Sequence, residues 1–529
     1  MTKRKTYSKK SNLVVVRRFI EATRDSGYKN TTSAISELVD NSIQAKASLI
    51  EIFIEKNLDS KVFPIKITVQ DNGEGMGEDL MQIALSFGGS SRFDDRGGLG
   101  RYGMGLPNAS ISQCRLVELF SWQSKESVYK TSLDVEKVAA GKMSSIPKPV
   151  LVKSPRLEFK TKSRSGTLVC WKECDRLENK RISTLVRKIS SQLGRMFRHY
   201  LWENLIIKIN GQSVQPVDPL FLNKQSPYAK AKEFGETQLF EFKKPDKNNH
   251  ANFRGKVTIK FSELPLIHWS ALPNKDKREM GIVNGAGVSV VRGKREIDHG
   301  WFFMGQKRKE NYDDWWRCEV SFDPSLDEYF GITHTKQQIR PVTELLDALT
   351  PYIETTGRVL NSRVRKLFLE IKESELNKKF LNELSNKTKS LPVMKVKSQT
   401  QEEKKIVSLL KDRLKRLKHN SYNSNVKYQI ISENLLDEPF FIPLQQKDLL
   451  TLVLNQNHLF YKDFYGPLKE DSNGELLEIL QSLLISAARA EKTTSGKKDS
   501  SILLEYRKMW SDTLAVFIKN VNNQANLKF

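Results

Sequence analysis

Apolar and polar residues repeat at two different periods along this chain, and the changes of period mark out its elements. Ile50, Ile52 and Ile54 recur at every second position of 49–54, the spacing of a strand with one buried face. The same spacing returns at 65–70 with Ile65, Ile67 and Val69, and further strands are expected over 116–122, 128–133 and 167–171. Between them the period becomes helical. Residues 34–48 read AISELVDNSIQAKAS, with Ile35, Leu38 and Val39 on one side and Glu37, Asn41 and Gln44 on the other at i, i+4 and i+7. Helices are also expected over 13–22, near 79–87 and from Pro107. Strands and helices interleaved with hairpins predict a mixed sheet covered by helices, a two-layer α/β arrangement.

The rest of the chain continues the alternation. Residues 181–204 form a strong helical pattern, with Leu185, Ile189, Leu193 and Phe197 on one stripe and Arg187, Lys188, Arg195 and Arg198 elsewhere. The run LIIKINGQSV that follows reads as a strand and turn opening a second domain, with more strands over 255–261, 288–292 and 317–322. The polar, lysine-rich stretch 223–249 reads as a surface loop. Helix returns over 339–384, and 384–403 has the composition of a linker. A short basic helix over 401–420 carries Lys411, Arg413, Lys415, Arg416 and Lys418. Residues 427–529 read as a small α/β domain with strands over 428–431 and 450–454 and helices over 476–490 and 502–518. The apolar face with Leu477, Ile479, Leu480, Leu483, Leu484 and Ile485 suits a core or a self-association surface. His458 beside Phe460, Tyr461, Phe464 and Tyr465 reads as a site or as core packing.

Three short polar runs interrupt the first part of the chain, and their chemistries complement one another. Glu37 and Asn41 set a carboxylate and an amide one helical turn apart. The carboxylate can orient a water as a general base, and the amide oxygen is a hard donor suited to Mg²⁺. At the end of the 65–70 strand, VQDNGEGM supplies Asp71 with Gly73 and Gly75 at +2 and +4, ahead of Met76. Glycines there let the backbone turn sharply and lie flat against a ligand. The run GGLGRYGMGLPNAS places Gly100, Gly103, Met104 and Gly105 just before a helix, and exposed backbone N–H groups of this kind cradle phosphates. A fourth run, SGTLVCW, sets Thr167 in a strand. Taken singly, each run has an ordinary reading: a solvated helix face, a turn or a flexible loop.

In their order and spacing, E-x3-N, D-x-G-x-G about thirty residues on, G-x-x-G-x-G and a Gly-Thr in a strand resemble the GHKL ATPase superfamily. Its nucleotide-binding (Bergerat) fold is shared by gyrase, the 90-kDa heat-shock chaperone, histidine kinases and MutL. The resemblance implies ATP as substrate and Mg²⁺ as cofactor. It assigns Glu37 to activating the hydrolytic water and Asn41 to Mg²⁺. Asp71 would accept a hydrogen bond from the adenine amino group, supported by Thr167 through a shared water. Gly73 and Gly75 would line the base pocket with Met76, and 87–105 would form a lid whose residues Gly100, Gly103, Met104 and Gly105 meet the phosphates. Two departures stand out: Gln44 where many relatives carry an acid, and Pro107 where a lysine often stands.

Within that superfamily, the lid run LSFGGSSRFDDRGGLGRYGMGLPNAS and residues 287–337 are most similar to the microrchidia (MORC) branch. There GVSVVRGKREID reads as two strands, and FDPSLDEYFGITHTKQQIRP ends near a Thr-Lys-Gln. Gyrase, MutL and MORC ATPases carry a transducer domain whose lysine reaches the γ-phosphate, and Lys336 stands where that lysine is expected. An ordinary loop lysine is the other reading. The resemblance covers about residues 12–345. The expected organisation is a basic arm at 1–12, the ATP-binding domain at 13–180, a transducer-like domain at 181–345, a helical and basic linker region at 346–425 and a C-terminal domain at 426–529.

Composition narrows the partners. A net charge of +25 and a pI near 9.6 point to a polyanion, nucleic acid before an anionic membrane surface. Arg187, Arg195, Lys411, Arg413, Lys415 and Arg416 are candidate phosphate contacts, or else solvated helical faces. The four cysteines, Cys114, Cys170, Cys174 and Cys318, lack the spacing of a zinc site and read as reduced core thiols. No apolar run is long enough to span a bilayer, and MTKRKTYSKK lacks a signal-peptide core. A soluble, intracellular protein without membrane contact is expected, cytoplasmic or nucleoid-associated, or nuclear in a eukaryote. The functional expectation is an ATP-gated DNA-binding machine that forms a homodimer on ATP, with DNA as partner and a protein partner possible through the C-terminal domain. The alternative is a chaperone-like ATP-driven clamp on a protein client. No histidine precedes His199, which argues against a phosphotransfer kinase, and no C-terminal acidic metal motif suggests a nuclease.

Overall fold

The alternating isoleucines form the strands their spacing predicts. Eight strands build the first sheet: β1 (Leu49–Lys56), β2 (Ile65–Asp71), β3 (Leu116–Trp122), β4 (Val128–Asp134), β5 (Val150–Leu151), β6 (Gly166–Lys172), β7 (Ile206–Ile209) and β8 (Gln212–Ser213). Their order is β5-β4-β3-β6-β2-β1-β7-β8. All neighbours are antiparallel except β1 and β7, so the sheet is mixed. One face is covered by α1 (Val16–Asp25), α2 (Thr31–Gln44), α3 (Glu78–Leu85), α4 (Gly105–Ile111), α5 (Val135–Ala139) and α6 (Ile182–Met196), and α7 (Arg198–Trp202) follows directly. Ala34, Ile35, Leu38 and Val39 of α2 share a core with Ile50, Ile52, Ile54, Ile67 and Val69 of the sheet. The two-layer α/β arrangement is as expected. The structure is a computed structural model that describes residues 15–28, 30–58, 60, 62–89, 103–124, 127–152, 163–225, 230–244, 253–332, 338–387, 401–410, 428–446, 449–470, 474–494 and 497–526. Gly100, Lys336, Lys411, Arg413, Lys415 and Arg416 lie outside the described residues.

Residues 181–213 depart from expectation. Their pattern assigns them to the second domain, yet β7 pairs in parallel with β1 and β8 closes the edge of the first sheet. Leu185, Ile189, Leu193 and Phe197 bury their stripe in the first core. Periodicity identified the helix but not which sheet it would cover.

The second sheet contains β9 (Lys232–Glu233), β10 (Gln238–Lys244), β11 (Phe253–Glu263), β12 (Val288–Arg292), β13 (Arg295–Gly300) and β14 (Trp316–Phe322). Its order is β10-β11-β14-β12-β13, with β9 also paired to β11. Val257, Ile259, Val288, Val290, Trp316 and Val320 pack against Leu345, Leu349, Ile353 and Leu360 of the Thr343–Lys387 helix. Strand β10 falls inside the stretch expected to be a surface loop. It is an edge strand with Leu239 exposed, and only Phe240 and Phe242 carried a two-residue period there.

The chain divides into two units, Met1–Leu367 and Phe368–Phe529. In the second, β15 (Tyr428–Glu433), β16 (Phe441–Gln446) and β17 (Leu449–Asn455) form a sheet of order β15-β17-β16. Helices Gly474–Thr493 and Lys497–Asn526 follow. Pro443 concealed β16 in the sequence, and the edge position explains why proline is tolerated there. His458 belongs to the packing: its Nδ1 accepts from the Phe460 amide at 3.1 Å, and its Nε2 faces Ser511. Phe460 and Tyr465 are buried beside it. The apolar helix face splits, with Leu484 and Ile485 buried and Ile479 and Leu483 exposed. All four cysteines are buried and unbridged. Among the described residues, no helix is long and apolar enough to cross a membrane.

Candidate active site

Helix α2 begins at a side-chain cap, where Asn30 accepts from the Ser33 amide at 2.8 Å. The polar side of this helix is not a solvated face. Glu37 is only 2 % exposed and Asp40 is fully buried. Gly105, the first residue of α4, sits directly on the Glu37 carboxylate. A Cβ at Gly105 would overlap Glu37 Oε1 and lie 2.8 Å from Glu37 Cδ. Tyr28 also meets Glu37, its phenol pushed up by burial first and then by the charges of Glu37 and Asp40. One turn beyond Glu37, the Asn41 side chain is partly exposed and forms no hydrogen bond among the described residues. A hard amide oxygen left without a protein donor fits an oxygen-preferring cation such as Mg²⁺. Among the described residues no cluster of three or more His, Cys, Asp or Glu is placed to hold a metal.

Asp71 ends β2 and is 7 % exposed. Its Oδ1 accepts from the Gly73 amide at 2.9 Å and the Thr167 amide at 3.2 Å, while its Oδ2 lies 2.9 Å from Ser42 Oγ on α2. Burial raises its pKa, and these three donors oppose the rise. A carboxylate has about four lone-pair positions, so acceptor capacity remains on Oδ2. Thr167 is the direct antiparallel partner of Asp71 in β6, and its Oγ1 lies 3.1 Å from Ser121 Oγ of β3.

The Gly73–Met76 segment is laid flat between these strands. Ser165 Oγ donates to the Gly73 carbonyl at 2.7 Å, and the Met76 amide donates to Ser121 Oγ at 2.8 Å. Gly73 passes so close to Ala45 that a Cβ would lie 2.6 Å from the Ala45 carbonyl oxygen. Gly75 has a φ of 70°, and a side chain there would run into the Trp122 carbonyl. Only glycine meets both conditions. Gly103 also has positive φ, and Met104 precedes α4. Pro107 is the third residue of α4, inside the first turn, where its missing N–H costs nothing.

The structure thus brings Glu37, Asn41, Asp71, Gly73, Gly75, Met76, Thr167 and Gly105 around the junction of α2, α4, β2 and β6. Residues 28–167 match the family described as "Histidine kinase-, DNA gyrase B-, and HSP90-like ATPase". Residues 28–167 form a GHKL-type ATPase domain. That domain supports ATP binding and hydrolysis. Among solved structures, a chain described as "Crystal Structure of N terminal domain of a DNA repair protein" aligns at 14 % identity and a TM-score of 0.39, over 64 % of this chain and 97 % of that one. No curated protein matches the chain in sequence.

Two of the basic candidates are described. Arg187 on α6 is exposed and forms no ion pair among the described residues. Arg195, further along α6, is engaged instead: its Nε donates to Glu296 Oε1 at 2.6 Å. Sequence reasoning missed the serines Ser42, Ser121 and Ser165 that tie the GHKL domain's runs together, and it missed Asp40. Asp40 stands between Glu37 and Asn41 and is fully buried, and no local pattern in the sequence singled it out.

Proposed function

We propose that this chain is an ATPase whose nucleotide gates a MORC-like, dimerising clamp on DNA. The observation that supports the reading is that α2 carries a buried Glu37 under Gly105 and an unengaged Asn41 amide one turn away, and is tied through Ser42 to Asp71, which keeps an open acceptor position. In this reading Asp71 accepts from the adenine amino group, and Thr167 supports the same edge. Gly73 and Gly75 let the base lie against backbone, with Met76 beside it. Glu37 orients a water and takes its proton as the water attacks the γ-phosphoryl group, and the bond to ADP breaks. Asn41 would hold Mg²⁺, which neutralises charge on phosphate oxygens. Gly100, Gly103, Met104 and Gly105 offer backbone amides to the phosphates, and Lys336 reaches the γ-phosphate.

The larger cycle follows from the same reading. ATP orders the lid and closes a homodimer, a transducer-like domain relays the closure, and hydrolysis reopens it. The C-terminal domain self-associates or recruits a protein. DNA is favoured as the client by the net charge of +25, since a protein clamp needs no such excess. Silencing, repair and defence against foreign DNA are the settings such a clamp would suit.

Two measurements test this. Glu37→Ala is expected to keep nucleotide binding while turnover falls by about 10²- to 10⁴-fold, the usual contribution of a general base; wild-type turnover in that variant would end the assignment. For the clamp, closed circular and linear DNA of equal length are incubated with a non-hydrolysable ATP analogue and washed with high salt. Retention of circles alone supports topological closure. Equal loss of both removes DNA entrapment and turns attention to a protein client.

A further inference from the structure

The helix that carries Glu37 and Asn41 is gripped by a side chain from the second sheet. Arg295 opens β13 and is 2 % exposed. Its Nε donates to Asp40 at 2.9 Å and its Nη2 donates to Ser36 Oγ at 2.9 Å. Its Nη1 lies 3.3 Å from the Glu296 carbonyl, and its guanidinium stands over the Phe197 ring at 5.5 Å. Ser36 and Asp40 are spaced i, i+4, so they lie on one face of α2. Each is followed in sequence by the residue of interest: Ser36 by Glu37, and Asp40 by Asn41. One planar fork therefore spans the same helical turn that presents the carboxylate and the amide.

The fork is itself held from behind. Glu296, the next residue, accepts from Arg198 at 2.5 Å and from Arg195 at 2.6 Å, and Ser289 donates to it as well. Arg198, fully buried, continues to Glu319 of β14 at 2.5 Å. A β-bulge between Val290 and Val291 faces this point of β13, and bulges re-aim side chains. Consecutive residues Arg295, Glu296 and Ile297 are all buried. Arg295 is thus anchored to strands β12, β13 and β14 and cannot follow α2 unless the second sheet follows too.

We propose that Arg295 is a positioning residue for ATP hydrolysis, a clamp by which the second sheet sets the rotation of α2 and hence the aim of Glu37 and Asn41. This rests on the reading of Glu37 as the base. Side-chain tips on a helix lie about 5–6 Å from its axis, so a rotation of about 10° moves them by roughly 1 Å. A misplacement of that size is enough to cost about 100-fold in rate. Asp71, at the end of β2, takes both backbone donors from outside α2, so nucleotide affinity is expected to change less than turnover.

The test uses the full chain with three readouts: thermal midpoint, affinity for a non-hydrolysable ATP analogue, and steady-state kcat and KM. Arg295→Met alone leaves Asp40 buried without its cation and can simply unfold the protein. The deciding variant therefore pairs Arg295→Met with Asp40→Asn, removing both charges together. It is expected to fold and to bind the analogue within about threefold of wild type, while kcat falls by about 10- to 100-fold. Arg295→Lys keeps the charge but loses the planar fork, and its kcat should fall between the two. Wild-type kcat in the paired variant, or a loss carried entirely by KM, would overturn the proposal; should the paired variant not fold, Arg295→Lys decides on the same criteria. Glu37→Gln in the same assay separates the two ideas. If it hydrolyses ATP normally, the base assignment falls and takes this role with it. If it is inactive and the paired variant is not, only Arg295 loses its role.

Discussion

Asp71 in the first sheet and Glu296 in the second are buried carboxylates, Glu319 beside the latter is mostly covered, and the pKa values of the two sheets' acids move in opposite directions. Burial dominates at Asp71 and raises it, because its partners are two backbone amides and a hydroxyl, with no cation among the causes. Burial acts on Glu296 and Glu319 as well, but Arg195 and Arg198 around the first and Arg198 and His199 around the second outweigh it. Glu319 is lowered to about 2, and Glu296 is lowered too. Dipoles hold a carboxylate in place without neutralising it, whereas guanidinium groups neutralise it and close its lone pairs. The first arrangement leaves an acceptor for a ligand. The second builds a joint.

The joint should therefore carry stability that the pocket does not. Arg198 is fully buried between Glu296 and Glu319, and its backbone neighbour, the Arg195 carbonyl, accepts from it as well. Arg198→Met would leave Glu319 buried without its main cation, and equilibrium unfolding in denaturant should show a loss of about 3–5 kcal/mol. A change below about 1 kcal/mol would mean that the acids are solvated after all, and the contrast with Asp71 would collapse.

His299, on the same strand as Glu296, sharpens the point through pH. Burial first, and then Arg195 and Arg317, lower it to about 4, with Glu296 opposing. The unfolded chain titrates near 6.5, so between pH 6.5 and 4 it binds a proton that the native state does not. Stability is then expected to fall as pH drops through that window, by about 2–3 kcal/mol. Glu319 adds a second and lower window: with its native pKa depressed, its contribution is present above about 4.5 and lost as pH falls towards 2. His299→Phe should flatten the upper window in a series of thermal midpoints against pH and leave the lower one. An unchanged upper slope would show that neither burial nor the cations hold His299 neutral.

How much of this was legible in the sequence follows from where the partners lie. Glu37, Asn41, Asp71, Gly73, Gly75 and Thr167 could be singled out because each run is contiguous and its chemistry constrains residue type at fixed spacing. The strands of the first sheet were legible for the same reason, since alternation is a local property. What stayed hidden depends on distant partners. Asp40 meets Arg295 across 255 positions, and nothing in either local pattern announces the other. Residues 206–213 looked like a domain's first hairpin because a strand's spacing does not say which sheet it will join. Strands β10 and β16 lie at edges, where one neighbour and some exposure relax the pattern. His458 had the residues of a site and turned out saturated, and that distinction needs hydrogen-bond geometry.

Asp71→Asn tests the other side of the contrast, and its effect on stability should be the smallest of all. Both backbone donors fall on Oδ1, so an asparagine oxygen in that place can keep the Gly73 and Thr167 amides. Ser42 has a second acceptor ready in the Leu38 carbonyl at 3.0 Å, which frees its oxygen to accept from the new Nδ2. The substitution also removes a buried charge that the native state holds with its pKa raised, so the ligand-free protein should lose less than about 1 kcal/mol or gain slightly. Nucleotide binding should behave quite differently. The open position on Oδ2 becomes a donor facing the adenine amino group, and a lost hydrogen bond to a charged acceptor is worth about 1.5–3 kcal/mol, or roughly 10- to 100-fold in Kd. Titration with a non-hydrolysable ATP analogue, run beside a thermal melt of the free protein, reads both quantities from one preparation. Affinity near that of wild type would mean that Asp71 is a structural acid like Glu319, whereas a large drop in both would mean that its three donors had been doing the work of a cation.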